Sequence, residues 1–166
     1  MSLEHHMIAT RTRSIITAAA VLGLLSAPAA AHAASVSDDG SSGRPLAAEL
    51  SGANEVGATP GAVVGDPDGM GTANVTVNVG QGELCYDIAF SGVAPIFGHV
   101  HAGGAGVNGP VVITLAAVAG ADGVAAGCVD APRELLRDIV RDPGAYYVNI
   151  HSDEFRAGAI RGQLER

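Results

Sequence analysis

From Gly71 to Gly80 the chain alternates without a slip, with Ala73, Val75, Val77 and Val79 on one side and Thr72, Asn74, Thr76 and Asn78 on the other. A period of two belongs to a strand with one buried and one wet face; a helix repeats every 3.6 or so residues and cannot use this pattern. Gly80-Gln81-Gly82 supplies a tight turn, and alternation resumes with Leu84, Tyr86, Ile88 and Phe90 against Cys85, Asp87 and Ala89. The two segments therefore predict a β-hairpin. An isolated hairpin with one apolar face is marginal in water, so more sheet must surround it.

Further strands are expected at residues 46–51, 97–101, 111–115, 146–151 and 159–164, each bounded by Gly or Pro. Residues 132–141 break the pattern. There Leu135 with Ile139 and Leu136 with Val140 recur at four-residue spacing, and Glu134 with Arg137 and Asp138 with Arg141 pair on the polar side. That is a short helix, with Asp130 available to cap it and Pro143-Gly144 to stop it. Gly is 23 of 166 residues, which suits many tight turns. The expected fold is all-β, a Greek-key-like antiparallel β-sandwich with one short helical insertion.

Arg11 and Arg13 precede an apolar run from Ile15 to Leu25, followed by Pro28 and Ala31-His32-Ala33. This is the pattern of a secretory signal peptide, and the run is too short to cross a bilayer core, which takes roughly 20 helical residues. Residues 1–33 are expected to be the signal peptide with an N-terminal extension, 34–44 a Ser-, Asp- and Gly-rich flexible tail, and 45–166 the folded domain. The expected product is secreted or extracytoplasmic, with no stable membrane anchor in its mature form. Cys85 and Cys128 are the only cysteines, and in an exported chain an even count predicts a disulfide. The net charge is −8, and all nine basic residues are Arg. That balance lacks the basic footprint of a phosphate-backbone binder, so nucleic acid is excluded as the expected partner.

Three histidines follow the expected cleavage point: His99, His101 and His151. His99 and His101 stand at i and i+2 and leave one strand face together, about 6.6 Å apart along the backbone. His151 closes a second strand whose same-face neighbours are Tyr147 and Asn149. The two strands are expected to end at the same rim, so the three imidazoles are expected to converge. Three neutral imidazoles suit copper or zinc, with copper the tighter of the two outside the reducing cytosol. The alternative is that these histidines hydrogen-bond buried backbone, or the Asn108-Gly109-Pro110 loop, and serve the fold. Other motifs carry less. Asp66-Pro67-Asp68-Gly69 resembles the start of a calcium loop, but the twelfth position is Val77, where a carboxylate is needed. Gly103-Gly104-Ala105-Gly106 reads as a flexible loop beside the histidine strand. Arg161 reads as a buried ion pair or a backbone clamp. Hydrolase chemistry has no support, because no G-x-S-x-G elbow is present.

Five segments, in this order, resemble the CHRD domain, the module named after chordin. They are Leu50-Ser51-Gly52-Ala53-Asn54-Glu55-Val56, Gly98-His99-Val100-His101, Asn108-Gly109-Pro110-Val111-Val112, Tyr146-Tyr147-Val148-Asn149-Ile150-His151 and Ile160-Arg161-Gly162-Gln163-Leu164. The resemblance spans about residues 46 to 164. It departs at Gly57-Ala58, where the family usually has prolines, and at Ala159, where it often has an acidic residue. It implies a secreted all-β domain that occurs alone in bacteria and repeated in chordin, with no generally assigned biochemical role. Gly98-His99-Val100-His101 also looks like the copper-ligand strand of Cu,Zn superoxide dismutase, over that short run alone. The leading functional expectation is a non-enzymatic exported module that binds a metal ion or an extracellular macromolecule, with His99, His101 and His151 as copper or zinc ligands. A copper-dependent redox enzyme of superoxide-dismutase-like type and a purely structural envelope or matrix domain are the alternatives.

Overall fold

The computed structural model describes residues 43–166, apart from 58, 60–63, 117, 120 and 122. The expected signal peptide, and all of the expected tail except residues 43 and 44, lie outside the described residues. Strands run in the order β1 (Arg44–Ser51), β2 (Met70–Asn78), β3 (Glu83–Ser91), β4 (Pro95–Ala102), β5 (Val111–Thr114) and β6 (Val124–Asp130). Helix α1 (Arg133–Arg141) then precedes β7 (Tyr146–Ser152) and β8 (Ile160–Gln163). The expected hairpin is β2–β3, paired from Met70↔Ser91 to Asn78↔Glu83, and Asn78 Oδ1 closes its turn by accepting Gln81 N–H at 3.0 Å.

All strand pairs are antiparallel, in the sheet order β5-β4-β7-β8-β1-β2-β3-β6. Val75 and Ile88 lie in one half of this order and Val100, Val148 and Ile160 in the other, yet all belong to one buried cluster. The sheet therefore curls until its two halves face each other across a shared core. The halves remain continuous through the β8–β1 seam, where Ser51 pairs with Arg161 and Ala47 with Glu165. The all-β, antiparallel expectation with one short helix holds. No helix among the described residues is long and apolar enough to cross a membrane.

Three local expectations need correction. The sheet has an eighth strand, β6, which the sequence conceals because Val-Ala-Ala-Gly-Cys-Val-Asp is rich in residues depleted from strands. Its composition follows from its neighbour. Gly127 pairs with Tyr86, and a Cβ at Gly127 would stand 2.9 Å from the Tyr86 hydroxyl, so the glycine makes room for the ring. Second, Asp130 does not cap α1: it ends β6 opposite Glu83, and Pro132 stands at the N-cap with no side-chain hydrogen bond. Third, β1 begins at Arg44, inside the expected tail. The helix itself lies as expected and buries Leu136 and Ile139.

Cys85 and Cys128 face each other across β3 and β6 and form a disulfide 43 residues apart in sequence. A crosslink over a loop of that length stabilises by about 4 kcal/mol in the chain-entropy model. The double variant Cys85→Ala/Cys128→Ala is expected to unfold at a clearly lower urea concentration with its β-type circular dichroism retained. Unchanged midpoints would show that the crosslink contributes nothing.

Candidate metal centre

The pleat of β4 sends Phe97, His99 and His101 to one face and the fully buried Val100 to the other. On β7, Tyr147, Asn149 and His151 share that face while Val148 and Ile150 enter the core. The register is Phe97↔His151, His99↔Asn149 and His101↔Tyr147, and on the far side of β7 Asn149 pairs with Arg161 and Tyr147 with Gln163. One end of the sheet therefore has an apolar inner face and a polar outer face. Loops cover the outer face, so His101 and His151 are each 9% exposed and Asn149 and Arg161 2%.

The three histidines come together. Ring centroids are 5.0 Å apart for His99–His151, 5.6 Å for His99–His101 and 6.2 Å for His101–His151. One ligating nitrogen from each lies within 4.8 Å of the others. The expected cause was wrong. β4 and β7 are antiparallel, so their carboxyl ends lie at opposite rims. The rings meet because the strands are adjacent and His151 sits opposite Phe97, two residues from His99.

Backbone carbonyls set two of the tautomers. A carbonyl can only accept, so His101 Nδ1–H donates to Gly109 O and His151 Nδ1–H to Arg156 O, each at 2.9 Å. Both Nε2 atoms are left as lone-pair acceptors. His151 Nε2 lies 3.1 Å from His99 Nδ1. His101 Nε2 is buried with no hydrogen-bond partner among the described residues. Burial favours the neutral form of all three rings. It is the largest cause in each case, and it takes His99 down to about 4, helped by His151 and His101. His101 is lowered against the pull of the Gly109 carbonyl, with His151 and Arg161 adding to the lowering, and His151 is lowered against the Arg156 carbonyl.

Gly109 is required for this arrangement, because a Cβ there would overlap the Ala102 carbonyl on which the loop rests. The Gly103-Gly104-Ala105-Gly106 run, expected to be a flexible loop, belongs to a 103–110 loop that is tied down. Arg161 Nη2 donates to Gly104 O at 3.0 Å and Val107 O at 2.9 Å, and Asn108 Nδ2 donates to Val56 O at 2.8 Å. Of the two readings of Arg161, the backbone clamp is the one found: no carboxylate lies within ion-pair distance of it among the described residues. Asp66-Pro67-Asp68-Gly69 is a turn, closed by Asp66 Oδ1 accepting Asp68 N–H at 3.0 Å.

Sequence reading missed Glu55. Its carboxylate accepts a hydrogen bond from Asn149 Nδ2, and burial raises its pKa from 4.5 to about 7, against the lowering influence of Arg161 and the hydrogen bonds from Asn149 and Val56. A single acid inside Leu50-Ser51-Gly52-Ala53-Asn54-Glu55-Val56 was the available signal.

Glu55 and His99 make opposite contributions to the pH dependence of stability. Glu55 binds its proton more tightly folded than unfolded, so its contribution is full below pH 4.5 and is lost as pH rises through about 7. His99 binds its proton more weakly folded, so its contribution is full above pH 6.5 and is lost as pH falls through about 4. Glu55→Gln is therefore expected to gain stability relative to the parent protein as pH rises from 4.5 to 7, in urea titrations at matched ionic strength. A difference that stays flat across that window would show that Glu55 is not held protonated.

A model of the CHRD domain family matches residues 46–164. No curated protein matches the chain, and no solved structure does. The matched span runs from β1 to the end of the sheet and takes in all three histidines, Glu55 and Arg161, and on that ground the chain belongs to the CHRD domain family.

Proposed function

We propose that this CHRD domain is an exported binding module, without turnover of its own, that holds one copper or zinc ion through His99, His101 and His151. The observation that carries the proposal is the buried, unpartnered Nε2 of His101, beside a second Nε2 lone pair on His151. A buried acceptor without a donor is costly, and native proteins rarely leave one without a reason. Carbonyl acceptance from the opposite ring nitrogen is also how proteins orient metal-binding imidazoles.

The distances support the fit. Two nitrogens at about 2.0–2.1 Å from one ion stand roughly 2.9 Å apart at a right angle and roughly 3.4 Å at a tetrahedral one. The 3.1 Å between His99 Nδ1 and His151 Nε2 falls between these. The other two nitrogen pairs lie within 4.8 Å, so binding must draw the rings closer together. When bound, the ion supplies a Lewis acid to which a donor group of an extracellular macromolecule can add. The protein's part is to keep the rings neutral by burial and to fix two tautomers. A second reading, that the histidines only support the fold, has the His99–His151 hydrogen bond in its favour.

Purified mature protein is expected to take up about one Cu(II) or Zn(II) per chain, measured by elemental analysis after gel filtration. Binding at 100-fold over Kd raises stability by about 2.7 kcal/mol, so chelation should lower Tm measurably. His101→Ala and His151→Ala should each abolish stoichiometric uptake. Burial lowers the pKa of all three imidazoles, so acid release is expected at a lower pH than the ordinary histidine value would give. Equal uptake by the triple Ala variant would leave only the fold-support reading.

A further inference from the structure

Arg161 is nearly inaccessible, at 2% exposure, and carries a charge that no carboxylate pairs within 4.0 Å among the described residues. Its pKa is lowered, mainly by burial, with Tyr147 and Glu55 pulling the other way. Burying a guanidinium in this way is costly unless its donors and its planar face are used. Both are used, and both lead to the same imidazole.

The planar face leads there through Tyr147. The Arg161 guanidinium carbon lies 3.4 Å from the Tyr147 ring centroid, and the His101 ring stacks on Tyr147 with centroids 4.7 Å apart and planes 8° from parallel. Since β7 lies between β4 and β8, Arg161 and His101 approach the tyrosine from opposite sides. The donors lead there through the loop. Arg161 Nη2 holds the Gly104 and Val107 carbonyls, and Nη1 reaches Asn108 Oδ1 at 3.4 Å. The next residue, Gly109, accepts the Nδ1–H of His101 and donates its own N–H to the Tyr147 hydroxyl at 3.2 Å.

We propose that Arg161 is a positioning residue of the three-histidine centre: it fixes the orientation and tautomer of His101 by clamping the 103–110 loop and backing the Tyr147 ring. The proposal deepens the metal-binding reading, on which its consequence for affinity rests. Without the clamp the Gly109 carbonyl is no longer held against Nδ1–H. His101 then samples both tautomers and turns, and its Nε2 lone pair is no longer aimed at the other two rings. His151 keeps its tautomer, because its partner is Arg156 O on a different loop.

The test uses long-range 15N–1H correlation spectra of the histidine rings in metal-free protein, together with Zn(II) affinity by competition with a chromophoric chelator. In the parent protein His101 and His151 are both expected as the Nδ1–H tautomer. In Arg161→Met, His101 should become a tautomer mixture while His151 stays single, and Zn(II) affinity should fall 10- to 100-fold, roughly the usual effect of losing an outer-shell partner. Arg161→Lys keeps the charge but not the planar fork, so it should not restore either readout. Tyr147→Phe retains the stack and loses only the Gly109 N–H acceptor. It should shift His101 part of the way, and it carries the test if the Arg161 variants fail to fold.

A single, unchanged His101 tautomer in the folded variants overturns the positioning role, whatever the affinity does. Equal disturbance of His101 and His151 also overturns it, since that would mean general loosening. If the parent protein binds no Zn(II) or Cu(II) while the Arg161 and Tyr147 variants still release the His101 tautomer, the metal reading fails and the positioning role stands.

Discussion

A polar face of a β-sheet has been taken out of water, and the rest of this half of the molecule follows from the need to satisfy it. Both faces of β7 are covered: Val148 and Ile150 by the core, Tyr147, Asn149 and His151 by loops. Buried polar atoms require partners, and here they are largely backbone carbonyls brought in by the covering segments. Gln163 shows the principle most plainly, since its Nε2 meets the carbonyls of Gly103, Gly144 and Tyr146 at 2.7–2.8 Å. Asn54 performs a similar service from the other side by donating to Arg161 O at 3.1 Å. Against this background of near-complete satisfaction, the two exceptions among the described residues, His101 Nε2 and Asn149 Oδ1, stand out.

Charge is managed by the same means. Low-dielectric surroundings favour neutral imidazoles and a protonated Glu55, and they penalise Arg161. Arg161 stays compatible with burial because carbonyl dipoles and an aromatic face solvate it in place of water. A neutral imidazole is the form that offers a lone pair to an ion, so the burial that costs hydration also prepares the ligands.

How much of this was legible in the sequence depended on which physical signal each part left. Strict alternation in β2 and β3 left a strong one, because each strand has one wet face. β6 left almost none: its Gly127 makes room for Tyr86, and only Cys128, as partner of Cys85, hinted at pairing. The gathering of the histidines was readable from the i, i+2 spacing and from His151 in a strand of its own. Its cause was not, since strand order is a tertiary property and the rim assumed for both strands was not shared. Glu55 matters through Asn149, 94 positions away, and Gly109 through the way its loop folds back on Ala102 and His101, and such contacts leave no periodicity to read.

The seam between β1 and β8 has a mechanical meaning. Ala47 and Glu165 exchange backbone hydrogen bonds at 2.9 and 2.8 Å close to where the chain enters and leaves the sheet, on strands that run in opposite directions. Within this seam, a tensile load applied through β1 and β8 would meet that pair first and part the two strands one link at a time, a softer geometry than shearing all links together. The next anchored position along β8 is Arg161, opposite Ser51. Tension along β8 would therefore reach the clamp over the histidines one step beyond the seam, whereas tension along β1 would pass into the β2–β3 hairpin through Arg44↔Val77.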